Sequence, residues 1–382
     1  MVARRVHPGA PPAFAMTPRV HPGPMLCYAS LAMAEQSVHK WRKQRLVSLL
    51  ATAQGAKTAL IVTHNDPDPD AIGAAVGLAA LLERRLRIEV AIACRGHVGR
   101  AENRAMVDEL HIRLEPLCQL DVPRFDLVAL VDAQPGAGNQ PLGSLAPPAV
   151  VIDHHPLRPE SSAVPFADVR PDNSSTSAIV TGYLRAARVR LSARVATALF
   201  YGIKTDTLGL ARESREEDTL AYLYLQRYLD REALSRIESA SVPPDYFRAL
   251  DRALHETYSL DGLVIARLGT MSYPDMAAEM ADFLRRLDGV RVIVAVGQYE
   301  GEVIVSVRSP ESGIKLDELV QAVVRGDGSA GGHDHMAAGR VPAGLAGSPE
   351  ATEEEMIRRF REALGLADLR PTPLLPRESD PE

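Results

Sequence analysis

Acids and imidazoles recur along this chain at the ends of apolar runs. They stand in four stretches: ALIVTHNDPDPDA (59–71), LVALVDAQP (127–135), VVIDHHP (150–156) and FYGIKTDT (200–207). The candidate donors are His64, Asp68, Asp70, Asp132, Asp153, His154, His155 and Asp206. Like charges gathered in one cleft raise one another's pKa or require a cation. Imidazole is a frequent metal ligand, and carboxylates orient it. A divalent-metal site is the simplest chemistry that such a set serves.

The stretches differ in strength. In the first, Leu60 to Val62 end at Thr63-His64, and two prolines hold the backbone extended before a helix from Ala71. Asp70 is by type also a good helix N-cap, but capping explains neither His64 nor Asp68. Asp132 alone reads equally as the end of a buried strand. Asp153-His154-His155 is harder to dismiss, because two adjacent imidazoles follow an acid and a β-branched run. Asp206, between Thr205 and Thr207, taken alone reads as a polar helix exit.

These residues need elements to hold them. Strands are expected near 59–63, 88–93, 127–131 and 149–152, and helices near 71–86, 176–188 and 194–204, with Ser174-Ser175-Thr176 as a helix start. Strand–helix alternation predicts a parallel, doubly wound α/β sheet, whose ligands sit outside the carboxyl ends of the strands. Helical segments around 216–240 lead to Pro243-Pro244, read as a linker. A second, smaller α/β unit follows, with strands near 263–268, 291–298 and 302–308 and helices near 275–287, 315–324 and 350–364. The division expected is an extension over 1–40, a catalytic domain over 41–240, a linker over 241–258, a substrate-binding domain over 259–365 and a tail over 366–382. The extension is rich in Pro and Gly, repeats Arg-Val-His-Pro-Gly at 5–9 and 19–23, and reads as disordered, as does the tail. Met33 is read as an alternative start.

The four stretches, in this order, resemble the DHH phosphoesterase superfamily over about residues 41–365. The resemblance implies two Mn²⁺ ions, for which Mg²⁺ or Co²⁺ can substitute, activating a water. His64 and Asp68 would hold one metal, Asp70 and His154 the other, with Asp132 bridging and Asp206 completing the shell. Asp153 would orient an imidazole, and His155 would face the scissile phosphate.

Downstream, Gly326 to Gly339 is read as a glycine-rich loop carrying His333 and His335. Glycines let backbone approach an anion closely. The loop resembles the substrate-binding motif of the DHHA1 domain, with one extra residue, which leaves His333 and His335 as alternative contacts beside Gly331 and Gly332. Val303 to Arg308 alternates like an edge-accessible strand and puts Ser306 and Arg308 on one face. By the same resemblance these two contact substrate, and arginine's planar fork suits phosphate.

Composition sets bounds. The 382-residue chain gives a prior of two domains. Its 46% hydrophobic and 24% charged content suits a globular protein. A net charge of −6 offers no bulk attraction to nucleic acid. Cys27, Cys94 and Cys118 lack metal or disulfide spacing, which suits a cytoplasmic protein. No apolar run is long enough for a membrane span. With 5% aromatic residues, long stacking platforms for single strands are not expected. The expected function is hydrolysis of short single-stranded RNA oligonucleotides, of 3′-phosphoadenosine 5′-phosphate, or of both, at a site in the interdomain cleft, with a homodimer as one expected assembly. The alternatives are a cyclic-dinucleotide phosphodiesterase acting on c-di-AMP or linear pApA, an inorganic pyrophosphatase, which resemblance ranks low because that branch lacks the glycine–histidine loop, and a non-catalytic nucleotide-binding regulator.

Overall fold

The computed structural model describes residues 43–375 except 144, 212–213, 312 and 334. The proposed N-terminal extension lies outside the described residues. Buried apolar runs build the first sheet. β1 (Thr58–Val62), β2 (Glu89–Cys94), β3 (Glu115–Pro116), β4 (Leu127–Val131), β5 (Val150–Asp153) and β6 (Phe166–Val169) are all parallel, in the order β3-β2-β1-β4-β5-β6. β4 is buried at every position, as expected of a strand covered on both faces. The strand order reverses between β1 and β4, and ligands of such sheets bind in the crevice outside the strand ends at that point. His64 follows β1 and Asp132 follows β4, so the sheet topology brings the first two stretches to the crevice.

The helices of this domain are α1 (43–52), α2 (Pro69–Leu86), α3 (Ala101–Glu109), α4 (Thr176–Ala186), α5 (Ala193–Thr207), α6 (Glu216–Leu225) and α7 (Arg231–Glu238). α2 starts earlier than the prolines suggested. Pro69 occupies the first turn, where its missing N–H costs nothing, and Asp68, not Asp70, is the N-cap, accepting from the Asp70 and Ala71 amides. α4 begins at a Ser175 cap, as read from Ser174-Ser175-Thr176.

Glycines let α2 and α5 approach closely. A Cβ at Gly202 would lie 2.5 Å from Ser177 Oγ, 2.9 Å from Pro69 O and 3.0 Å from Asp70 Cα. Two of these are backbone atoms at the start of α2. Gly202→Ala should therefore destabilise the fold by about 1–3 kcal/mol, the scale of overpacking. Chemical denaturation checks this, and an unchanged midpoint would refute it.

The second sheet is mixed, in the order β11-β12-β10-β9-β8-β7-β13. Its strands are β7 (Tyr258–Leu260), β8 (Leu263–Thr270), β9 (Val292–Tyr299), β10 (Glu302–Arg308), β11 (Ser329–His333), β12 (Met336–Pro342) and β13 (Thr372–Pro373). It is covered by α8 (Pro244–His255), α9 (Met276–Leu284), α10 (Leu316–Val324) and α11 (Pro349–Ala363). Four expectations change here. β10 is an interior strand between β9 and β12, buried from Val303 onwards, because its Ser306 and Arg308 find partners inside the fold. The glycine-rich segment is an antiparallel hairpin, β11 on β12, since a backbone ladder needs no side chains. Residues 366–375 are described, and β13 pairs with β7 where a disordered tail was expected. The segment 241–258, read as a linker, carries α8.

The two units meet through ion pairs. Arg340 Nη2 of β12 donates to Asp66 Oδ2 at 2.6 Å, and Arg100 Nη2 donates to Asp282 Oδ2 at 2.9 Å. Among the described residues, no helix is long and apolar enough to cross a membrane.

Candidate active site and metal centre

The crevice gathers the acids and imidazoles into three overlapping groups, joined through Asp132 and His154. His64, Asp68 and Asp132 form one; Asp70, His154 and Asp206 a second; Asp132, His154 and His155 a third. Within each group the donor atoms lie within 4.8 Å of one another. Asp132 is buried and takes a left-handed φ of 55°, a conformation Asp tolerates better than most residues. One of its oxygens, Oδ2, lies 3.4 Å from His64 Nε2, and the other, Oδ1, 3.5 Å from His154 Nε2. His64 Nε2 is also 3.8 Å from Asp68 Oδ1, and His154 Nε2 is 3.6 Å from Asp206 Oδ2.

Backbone carbonyls turn both rings. His64 Nδ1 donates to Asn65 O at 2.8 Å, and His154 Nδ1 to Asn173 O at 3.3 Å. A carbonyl accepts only, so each Nδ1 carries a proton and each Nε2 is turned towards the carboxylates.

Asp70 is buried and held from the other side of the site. The Thr176 and Ser177 amides, at the N-terminus of α4, donate to its two oxygens at 2.6 and 2.8 Å. Burial, then Asp132 and Asp68, push its pKa well above the ordinary value, against those hydrogen bonds. Asp68 moves the other way: burial opposes ionisation, but the His64 hydrogen bond and charge and the Ala71 amide hold it low. Burial also opposes a charged His64, yet hydrogen bonds and charge from Asp132 and Asp68 raise its pKa well above the usual value. Side chains alone thus leave four acids, Asp68, Asp70, Asp132 and Asp206, crowded around the His64 and His154 imidazoles. A cation relieves that crowding, and mixed carboxylate–imidazole donors suit a divalent ion.

Asp153 stands behind His155. Its Oδ1 accepts His155 Nδ1 at 2.8 Å and the His154 amide at 2.8 Å, and its Oδ2 accepts Gln134 Nε2 at 2.7 Å. Burial opposes ionisation of Asp153, but the His155 hydrogen bond and charge hold it at about 2. Burial likewise opposes His155 protonation; the Asp153 hydrogen bond and the Asp132 and Asp153 charges lift it to about 9. Both shifts favour the ion pair. Its contribution to stability is full between the ordinary values of 3.8 and 6.5, is lost as pH falls towards about 2, and is lost as pH rises through about 9. In chelator-treated protein, imidazole NMR should show His155 titrating near pH 9; a midpoint at or below 6.5 would refute the pairing.

In the second domain, Ser306 and Arg308 share a face, and Arg308 Nη1 donates to Ser306 Oγ at 3.0 Å. Arg308 is paired with Met336, beside the hairpin tip, and the Ser309 amide donates to His335 O at 3.2 Å. Gly331 and Gly332 lie exposed in β11, which ends at His333. A Cβ at Gly332 would fall 2.4 Å from Ala337 Cα, so the hairpin requires glycine there. Gly331 faces open space.

Several residues at the site carried no signal beyond proximity to a motif. Gln134, two positions after Asp132, also accepts from the Arg158 amide and the Ser161 hydroxyl, tying the β4 and β5 ends together. Thr176 Oγ1 donates to Asp132 Oδ1 at 2.8 Å. The buried polar atoms Asn65 Oδ1 and Asn173 Nδ2 flank the cluster without a partner among the described residues.

A doubly wound domain with an acid–imidazole cluster at its switch point, facing a mixed-sheet domain that carries a glycine hairpin, defines the class. The chain belongs to the DHH/DHHA1 family: the DHH family N-terminal domain matches residues 58–203 and the DHHA1 domain residues 261–365. It is 31% identical over 322 residues to the uncharacterized protein MJ1633 of Methanocaldococcus jannaschii, covering 84% of this chain and 65% of that one. The chain thus spans somewhat less than two thirds of that relative's length. It is 27% identical over 337 residues to the bifunctional oligoribonuclease and PAP phosphatase NrnA of Thermus thermophilus, covering 85% of this chain and 95% of that one. An exopolyphosphatase-related protein from Bacteroides fragilis shares the fold, with TM-score 0.66 at 17% identity over 85% of this chain and 97% of that one.

Proposed function

We propose that this protein is a metal-dependent phosphoesterase that hydrolyses short RNA oligonucleotides, 3′-phosphoadenosine 5′-phosphate, or both. One observation carries the reading: the two carboxylate oxygens of Asp132 face two separate imidazoles, His64 and His154, each with its own further acids. That is the donor arrangement of a bridged pair of cations. His64 and Asp68 would hold one, Asp70, His154 and Asp206 the other, and Mn²⁺ is the ion we assign. When bound, such ions polarise a phosphoryl oxygen and acidify a water. The chain's own groups do the rest. Asp153 keeps His155 protonated and turned, so that its Nε2–H can hydrogen-bond a non-bridging phosphate oxygen. Arg308, Gly331 and Gly332 take a terminal phosphate from the second domain, with His333 or His335 beside them. The relation to the Thermus enzyme, matched over nearly its whole length, supports the substrate class.

A cleft that anchors one terminal nucleotide or phosphate gains little from distant nucleotides. Catalytic efficiency should therefore peak on substrates of about two to four nucleotides and fall on long strands, by that anchoring argument. A panel of labelled oligonucleotides, 3′-phosphoadenosine 5′-phosphate and cyclic dinucleotides, run with Mn²⁺ and with chelator, tests this. Efficiency rising with length, or chelator-resistant turnover, would sink the reading. Turnover confined to cyclic dinucleotides would replace it with a phosphodiesterase.

A further inference from the structure

Arg308 is not free to point where it will. Its Nε donates to Asp282 Oδ1 at 2.7 Å, and its Nη1 donates to Ser306 Oγ and Val307 O, both at 3.0 Å. Among the described residues, these contacts engage Nε and Nη1 and leave the Nη2 hydrogens for a ligand. Ser306 and Val307 belong to the same strand. Asp282 does not: it sits in the last turns of α9, and its second oxygen accepts Arg100 Nη2 from the other domain at 2.9 Å. Arg100 stands at the N-terminal end of α3, in the loop that follows β2 of the first domain. Asp282 thus spans the proposed phosphate-binding guanidinium and the catalytic domain. Its charge is compensated on both sides, since Arg308 and Arg100 hold its carboxyl low despite the opposing burial. Arg100 also has Asp275 and Glu279 nearby, so removing Asp282 does not strand it.

We propose that Asp282 is the positioning residue for Arg308, and that Arg100 fixes Asp282 across the domain boundary, so that apposition of the two domains sets the guanidinium that receives substrate. This rests on the assignment of Arg308 to substrate binding made above. A planar guanidinium held at one edge by a carboxylate presents its opposite edge in a fixed plane, which suits a phosphate taken in one orientation. With Asp282 neutral, Arg308 keeps its Ser306 and Val307 contacts but loses the ion pair that fixes its Nε edge.

Asp282→Asn should raise KM for a dinucleotide about tenfold, the scale of a slightly misplaced binding group, with kcat within about twofold and metal content unchanged. Asp282→Glu should recover part of the loss. Arg100→Ala should raise KM less, and combining it with Asp282→Asn should add nothing, as expected of residues acting through one contact. A second readout does not depend on turnover: the Arg308 Nε–H resonance, identified by its loss in Arg308→Lys, should be sharp and slow to exchange in the wild type and should broaden in both single variants. Unchanged KM in Asp282→Asn while Arg308→Ala raises it, an additive double variant, or an Nε–H signal indifferent to Asp282 would each overturn the proposal. If Arg308→Ala itself leaves KM unchanged, the fault lies in the assignment of Arg308 to substrate. Without its substrate role, the proposal falls with that assignment.

Discussion

Asp132→Asn should abolish turnover while the protein stays folded. The expected loss is at least about a thousandfold, since the charge stabilisation metals supply amounts to several kcal/mol and about 1.4 kcal/mol is tenfold in rate. The carboxylate faces both His64 and His154, one oxygen to each. An amide keeps the shape and the left-handed backbone at φ 55°, which Asn also tolerates. It can still accept the Thr176 hydroxyl through its carbonyl oxygen. What it removes is the negative charge between the two imidazoles. Asp132→Ala should lose activity equally and add a backbone penalty of about 1–2 kcal/mol, because alanine has no polar side chain to favour that conformation. Elemental analysis and thermal unfolding check the cause. Wild-type protein should release metal to chelator with a fall in Tm, as for any ligand bound only by the folded state, and Asp132→Asn should show little further fall on chelation. Turnover by Asp132→Asn within tenfold of wild type would refute a bridging role.

Much of that site was legible because each donor follows a buried run. Leu60 to Val62, Leu127 to Val131 and Val150 to Ile152 are strongly β-forming and almost fully buried, so the residues after them fall on one rim. The strand order could not be read from those runs. The switch point between β1 and β4 comes from pairing Ala59 to Val62 with Leu127 to Leu130, far along the chain, beside the Asp126 contact to the Lys57 amide. Side-chain partners were equally hidden. Asp70 reads locally as a cap, yet its oxygens meet amides 106 and 107 residues away, because α2 and α4 converge at their N-termini. Asp68, which reads locally as a ligand, also does the capping. The hairpin was misread because glycine and serine signal loops, whereas the β11–β12 ladder is specified by the neighbouring β10 and by close backbone approach at Gly332. β10 looked like an edge because Ser and Arg alternate with valines. Its buried polar face is satisfied by Arg308 bonding back to Ser306 and by Asp282 from α9.

That same buried face gives the second large effect. Arg308→Ala should weaken substrate binding by about 1.5–3 kcal/mol, the usual scale for hydrogen bonds to a charged group, so KM should rise roughly tenfold to a hundredfold at about 1.4 kcal/mol per decade. Metal content should not change, because Arg308 stands on β10 in the second domain and all donors of the cluster come from the first. The truncation also strips Asp282 and Ser306 of a partner. Asp282 keeps Arg100, and it is about one-third exposed, so water can replace what it loses. Ser306 is nearly fully buried and is the costlier orphan. Arg308→Lys therefore makes the cleaner comparison. It keeps a cation beside Asp282 but lacks the planar fork, and an intermediate KM would show that the bidentate geometry, not charge alone, receives the phosphate. KM and kcat should be measured on a dinucleotide and on 3′-phosphoadenosine 5′-phosphate. If every active substrate keeps its KM in Arg308→Ala, the second domain does not hold the substrate's phosphate through this residue. Loss of kcat and metal together with KM would instead show that the truncation has disturbed the domain contact at Asp282.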